Sequence, residues 1–157
     1  MSAGCDGPFR VRVVVPAEPA VARVVVPGPM GAGGPPGASA AGNRSETAVP
    51  AATALSGHRA VRGTPAGAAY ASAATLADLG TVLGVTTGAA AAGADVAVVS
   101  SGAVDEPSWS WAAGPVWLGV DGALTQLPPA GAFLQQIGVA ASPTRLIVSL
   151  GLPIRTL

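Results

Sequence analysis

Residues 102–150 read GAVDEPSWSWAAGPVWLGVDGALTQLPPAGAFLQQIGVAASPTRLIVSL, the part of the chain richest in strand and turn signals. It carries all three tryptophans of the chain, Trp109, Trp111 and Trp117, together with Phe133 and the most strand-like run, Leu146-Ile147-Val148-Ser149-Leu150. Val116-Trp117-Leu118-Gly119-Val120 predicts a strand, and Asp121-Gly122 after it is a hairpin signal because both turn positions want a left-handed backbone. The return strand is Ala123-Leu124-Thr125-Gln126-Leu127. Pro128-Pro129 ends it, since proline donates nothing to a ladder. Trp109 and Trp111 are two apart, so in an extended segment they share a face. Punctuation by Pro107 before them and Gly114-Pro115 after them makes Trp-Ser-Trp either an edge strand or a structured loop.

Working upstream, residues 81–87 (TVLGVTT) predict a strand, residues 88–94 (GAAAAGA) a loop, and residues 95–101 (DVAVVSS) the partner strand of that hairpin. Residues 74–79 predict one helical turn closed by Gly80. Short strands are expected at residues 51–55, 58–62 (exposed, around His58) and 68–73 (around Tyr70). The domain also echoes itself. Leu83-Gly84-Val85-Thr86-Thr87 resembles Ile137-Gly138-Val139-Ala140-Ala141. A turn and a valine-rich strand follow each, and Pro-Ala-Gly-Ala precedes each, at residues 65–68 and 129–132. A strand–turn–strand unit used twice predicts an all-β fold, a small barrel or sandwich of short antiparallel strands. Chance recurrence in so biased a composition is the competing account.

The N-terminal third differs. Arg12-Val13-Val14-Val15-Pro16 recurs as Arg23-Val24-Val25-Val26-Pro27. Triple valine is stiff at χ1 and suits strands. A lone hairpin of this kind is marginal in water and sticky at its edge. It therefore either adds to another protein as an anchor or pairs with the chain's own main domain. Residues 28–39 (GPMGAGGPPGAS) place glycine at every third position for four triplets, a collagen-like pattern too short for a triple helix unaided. The expected organisation is an extended valine- and proline-rich N-terminal anchor arm with two short strands (residues 1–27), a collagen-like linker (28–47) and a β domain (48–157).

Composition bounds the function. Charged residues make up 10% of the 157, net charge is zero, and there is no lysine; an average soluble chain has about 25% charged residues. Neither nucleic acid nor an anionic membrane is favoured as a partner. A surface that meets other subunits would account for the low charge, as would simple bias toward Ala, Gly, Val and Pro. One cysteine, Cys5, excludes an internal disulfide. No apolar run approaches the ~18 residues of a membrane helix, and no basic start leads into an apolar h-region, so synthesis in the cytoplasm without a signal peptide is expected.

Catalytic equipment is not visible. The single histidine, His58, has no carboxylate within ten residues on either side, and reads as a surface histidine. No His, Cys or carboxylate cluster suggests a metal, no lysine-bearing phosphate loop exists, and adjacent Asp105 and Glu106 point apart in extended chain. No enzyme activity and no cofactor are expected. The best partner or glycan contact is Trp109, Trp111, Asp105 and Glu106: indoles stack on apolar sugar faces and carboxylates bind hydroxyls. Core or subunit packing is the competing role for the rings, because each buried tryptophan removes ~200 Å² from water.

The motifs Glu106-Pro107-Ser108-Trp109, Pro115 to Gly119 (PVWLG), Gly122-Ala123-Leu124-Thr125-Gln126, Gln136-Ile137-Gly138-Val139-Ala140 and the closing Pro153-Ile154 together resemble the C-terminal module of fibre and head-spike proteins of tailed phages and gene transfer agents. The valine–proline start passing into short Gly-x-y repeats fits the same family. The resemblance implies a non-enzymatic particle component, a homo-oligomer (trimer or pentamer) attached through the N-terminal arm to capsid or other particle proteins. It also implies a further spike or fibre protein as partner, and a place at the particle surface, with head favoured over tail. Its Gly-x-y stretch is much shorter than in long fibres, which points to a spike base or adaptor. A module binding host-surface polysaccharide and a secreted or surface-layer protein are the alternatives.

Overall fold

The computed structural model describes residues 44–156. The valine runs at Val13–15 and Val24–26, most of the collagen-like linker and Cys5 lie outside the described residues. Eleven strands follow in chain order: β1 (Ser45–Pro50), β2 (Ala60–Thr64), β3 (Gly67–Tyr70), β4 (Val82–Thr86), β5 (Asp95–Asp105), β6 (Gly114–Leu118), β7 (Leu124–Thr125), β8 (Phe133–Leu134), β9 (Gln136–Ser142), β10 (Arg145–Ser149) and β11 (Ile154–Arg155). Among the described residues a single 3-10 turn, Leu76–Asp78, breaks the all-β pattern. Nine strands join in one antiparallel, curled sheet, and β8 with β11 makes a small second one.

The echo of residues 83–87 in residues 137–141 is a structural repeat with matching register, but the Pro-Ala-Gly-Ala echo is not part of it: residues 65–68 turn from β2 into β3, whereas residues 129–132 follow β7 and lead into β8. In the first half Ala60 pairs with Val85, Val61 with Gly84 and Arg62 with Val82, with a bulge after Val61. In the second half Pro115 pairs with Val139, Val116 with Gly138 and Trp117 with Gln136, with a bulge after Val116. The hairpins agree: Arg62–Ala69 and Gly63–Ala68 in β2–β3 correspond to Trp117–Thr125 and Leu118–Leu124 in β6–β7. So do the next pairs, Val85–Val99 and Thr86–Val98 against Val139–Ile147 and Ala140–Leu146. Gly84 and Gly138 occupy the same place. A Cβ on either would lie 2.1 Å from a backbone oxygen of the neighbouring strand, Val99 O or Ile147 O. No side chain fits there, which is why the echoed motif is x-Gly-Val.

Strand β5 is shared. Its first part pairs with β1 and β4, its last five residues with β10. The second part stands to β10 as β1 stands to the first part: Val98 pairs with Thr47 as Leu146 pairs with Val104. A parallel bridge between Ala51 and Ala68, with Ala52 N–H donating to Ala68 O (2.8 Å), brings the end of β1 back to β3 and closes the first half.

Two apolar clusters follow from this. Val61, Ala68, Val96, Val98, Ala51 and Leu55 fill the first half. The larger cluster combines the interior of the second half (Val116, Leu118, Phe133, Ile137, Leu146, Val148) with the opposite face of the first half (Ala60, Val85, Val99). The outer face of the first half therefore caps the interior of the second. Burying a valine in this way stabilises by roughly 1.5–3 kcal/mol.

Several expectations shift. The opening strand is Ser45–Pro50, beginning inside the stretch read as linker, and residues 51–55 hold only isolated bridges. The strand expected at residues 58–62 runs Ala60–Thr64 and is not exposed: Ala60 and Val61 are fully buried. Strand β5 continues four residues beyond the expected end, because the second half borrows it. The Asp121-Gly122 turn forms as expected, both residues with positive φ (51° and 73°).

Candidate functional site

Residues 56–59, between β1 and β2, and residues 106–111, between β5 and β6, meet over the β6–β7 hairpin. Together with Ala123 and Leu124 they line a cleft of about 420 Å³ walled by His58, Arg59, Glu106, Ser108, Trp109 and Trp111.

The first loop is held by a buried hydroxyl. Thr86 on β4 is fully buried. Its Oγ1 donates to Ser56 O (2.9 Å) and accepts from Arg59 N–H (3.1 Å). Its backbone accepts from His58 N–H and donates to Arg59 O (2.8 and 2.9 Å). This clamp imposes a left-handed backbone on His58 (φ 57°), a conformation that costs a non-glycine residue on the order of 1 kcal/mol. Such strain concentrates at ligand clamps and switch positions. Tyr70 secures the start of the loop, its hydroxyl accepting from Ser56 N–H (2.7 Å).

The second loop is Trp-Ser-Trp, a structured loop rather than an edge strand. Trp111 N–H donates to Pro143 O (2.9 Å) at the β9–β10 turn. Gln126 grips the adjacent backbone, with Ala112 N–H donating to its Oε1 (3.0 Å) and its Nε2 donating to Ala112 O (2.5 Å). Both indoles are half-buried. They meet at 5.5 Å between centroids with a 55° tilt, and each packs one side on the large core.

The two loops are joined by chemistry that the sequence hides. His58 Nδ1 lies 3.0 Å from Glu106 Oε2, and the His58 ring stands edge-on to Trp109 at 5.4 Å and 77°. Glu106 Oε1 also accepts from Ser108 N–H (2.9 Å). Hydrogen bonding from Ser108, and after it the electrostatic attraction of the nearby His58 ring, hold the Glu106 carboxyl below its ordinary range.

Of the four residues read as a contact site, Trp109, Trp111 and Glu106 share this cleft. Asp105 does not line it. It pairs across the sheet with Arg145, bidentate at 2.7 and 3.0 Å, and that guanidinium lowers its pKa. The alternation of side chains along extended chain separates the two acids, as expected. His58, read as a plain surface residue, is a wall of the site. Its carboxylate is 48 positions away in sequence, so no local spacing could reveal it. Trp117 lies on β6, outside the cleft. Among the described residues no three His, Cys, Asp or Glu side chains gather where they could hold a metal ion, and no helix is long and apolar enough to cross a membrane.

The cleft pairs two indole rings with a carboxylate, an imidazole and a guanidinium at its rim. Its lining is more polar than apolar, with the two indoles as its aromatic surface. No protein-family model, no curated protein and no solved structure matches this chain.

Proposed function

We propose that this chain is a non-enzymatic structural component of a virus-like particle, of a tailed phage or a gene transfer agent, serving as a homo-oligomeric head-spike base or fibre subunit at the particle surface. The observation that carries this reading is the mismatch between the two halves. One outer face is buried within the chain, while its counterpart presents Val139 and Ile147 to solvent. A low-charge β domain with an uncovered apolar face is suited to assembly. The motif resemblance supplies the particle, and the valine-rich arm supplies an attachment. The test is fractionation of particles on a density gradient. The chain should band with intact particles, and deletion of residues 1–27 should release it while the β domain stays folded. Banding with cell envelopes, or retention after the deletion, would remove this reading.

The cleft favours a second reading, recognition of host-surface polysaccharide. Aromatic walls with a charged rim suit pyranose rings. Trp109→Ala should then abolish retention on a polysaccharide column with the far-ultraviolet dichroism unchanged. Equal retention of variant and parent would exclude the cleft.

A further inference from the structure

We infer that the outer face of the second half, centred on Pro115, Val139 and Ile147, is the surface through which a second copy of this chain packs, face to face about a two-fold axis. This inference rests on the assembly reading, names its surface, and puts a two-fold contact in place of the trimer or pentamer that the motif resemblance implies. The three residues lie in one cross-strand row, Pro115 opposite Val139 and Val139 opposite Ile147. The repeat gives each a counterpart: Ala60, Val85 and Val99. The three counterparts are 0% exposed, buried against the second half, whereas Val139 and Ile147 are 43% and 38% exposed. The same row in the same register is thus an interface in one half and uncovered in the other.

The face is built for its own kind. Around the row Ala141, Ser149 and Ala103 are small, and Trp117, two positions after Pro115 on β6, is the large neighbour at one edge, so a second sheet can approach to about 10 Å over β9, β10 and the end of β5. Across β6, β9, β10 and the last five residues of β5 the charged side chains are Asp105 and Arg145, directly opposite one another. A two-fold contact is self-complementary, with one patch meeting itself. One acid beside one base at the rim satisfies that requirement, because a rotated copy can set Arg145 against Asp105. Zero net charge removes any general repulsion between copies.

The experiment is light scattering and sedimentation of the full chain over a hundredfold concentration range, for the parent and for Val139→Glu/Ile147→Arg. The parent should run as a dimer or an even multiple of it. The double variant should run at half the parent mass, or show a dissociation constant raised at least tenfold, with dichroism and thermal midpoint retained. Both positions are exposed, so neither is needed for the monomer fold. As a second variant, Asp105→Arg should weaken the dimer and Asp105→Arg/Arg145→Asp should restore it. An oligomer that survives the double substitution overturns this surface but leaves assembly standing. A trimer or pentamer overturns the two-fold axis. A monomeric parent, as when the first 43 residues cover the face instead, overturns both the surface and self-assembly in solution.

Discussion

Replacing Thr86 with valine keeps shape and volume and removes one hydroxyl. That hydroxyl donates to Ser56 O and accepts from Arg59 N–H, from a position with no solvent exposure. Each of those backbone groups then loses its partner, and leaving a buried polar group unsatisfied costs about 1–3 kcal/mol. Partial access of the loop to water brings the pair to about 2–4 kcal/mol. With a urea m-value of about 2 kcal/mol/M, the midpoint should fall by about 1–2 M. Thr86→Ser keeps the hydroxyl and loses one buried methyl, so it should cost only about 1 kcal/mol. Urea titration followed by tryptophan emission reads both quantities, since Trp109 touches the His58 ring that the clamp positions. The valine variant should also change the emission of the folded baseline, because His58 is freed to leave its left-handed conformation. A valine midpoint within 0.2 M of the parent, or a serine variant as damaged as the valine one, would refute the clamp.

Gly84→Ala and Gly138→Ala should both fail to give soluble folded protein, because each added Cβ meets a backbone oxygen at 2.1 Å. Gly88→Ala, with open space around it, should express normally. Phe133→Ala should lower stability by about 3–5 kcal/mol, measured by denaturant titration, since Phe133 is wholly buried in the large core. Acid should act through Asp105. Its pKa is lowered by Arg145 in the folded chain, so its stabilisation is present above the ordinary carboxylate value of about 4 and is lost as pH falls through the lowered one. The thermal midpoint of the parent should therefore fall more steeply below about pH 4 than that of Asp105→Asn. Added salt should narrow the difference, because the pair is exposed.

Much of the fold was legible because its signals are local. The Asp121-Gly122 turn, the proline stops and the valine-rich runs each act over a few residues, and strands β4, β9 and β10 lie within a residue of where those signals put them, while β6 runs two residues earlier than expected, through Gly114-Pro115 to Leu118. The duplication was legible as an echo of Leu83-Gly84-Val85 in Ile137-Gly138-Val139, because the glycine is demanded by a backbone contact that recurs in both halves. The opening strand was missed because Ser45-Glu46-Thr47 is polar and pairs only by virtue of β5 lying beside it. Residues 58–62 were read as exposed from their own alternation, whereas Ala60 is buried by the other half of the domain.

The cleft divides along the same line. Residue types and spacing tell which side chains could stack and which could accept hydrogen bonds: two indoles two positions apart, with carboxylates just before them. That Glu106 enters the cleft while Asp105 turns away to Arg145, and that His58 meets Glu106 across 48 positions of chain, follows from the folding of the sheet. The same holds for the apolar row. Ala60-Val85-Val99 and Pro115-Val139-Ile147 are chemically alike in sequence, yet one is covered and the other bare. The reason is physical: residue type sets what a side chain can do within its own few ångströms, but burial and pairing depend on which distant segment the folded sheet lays against it.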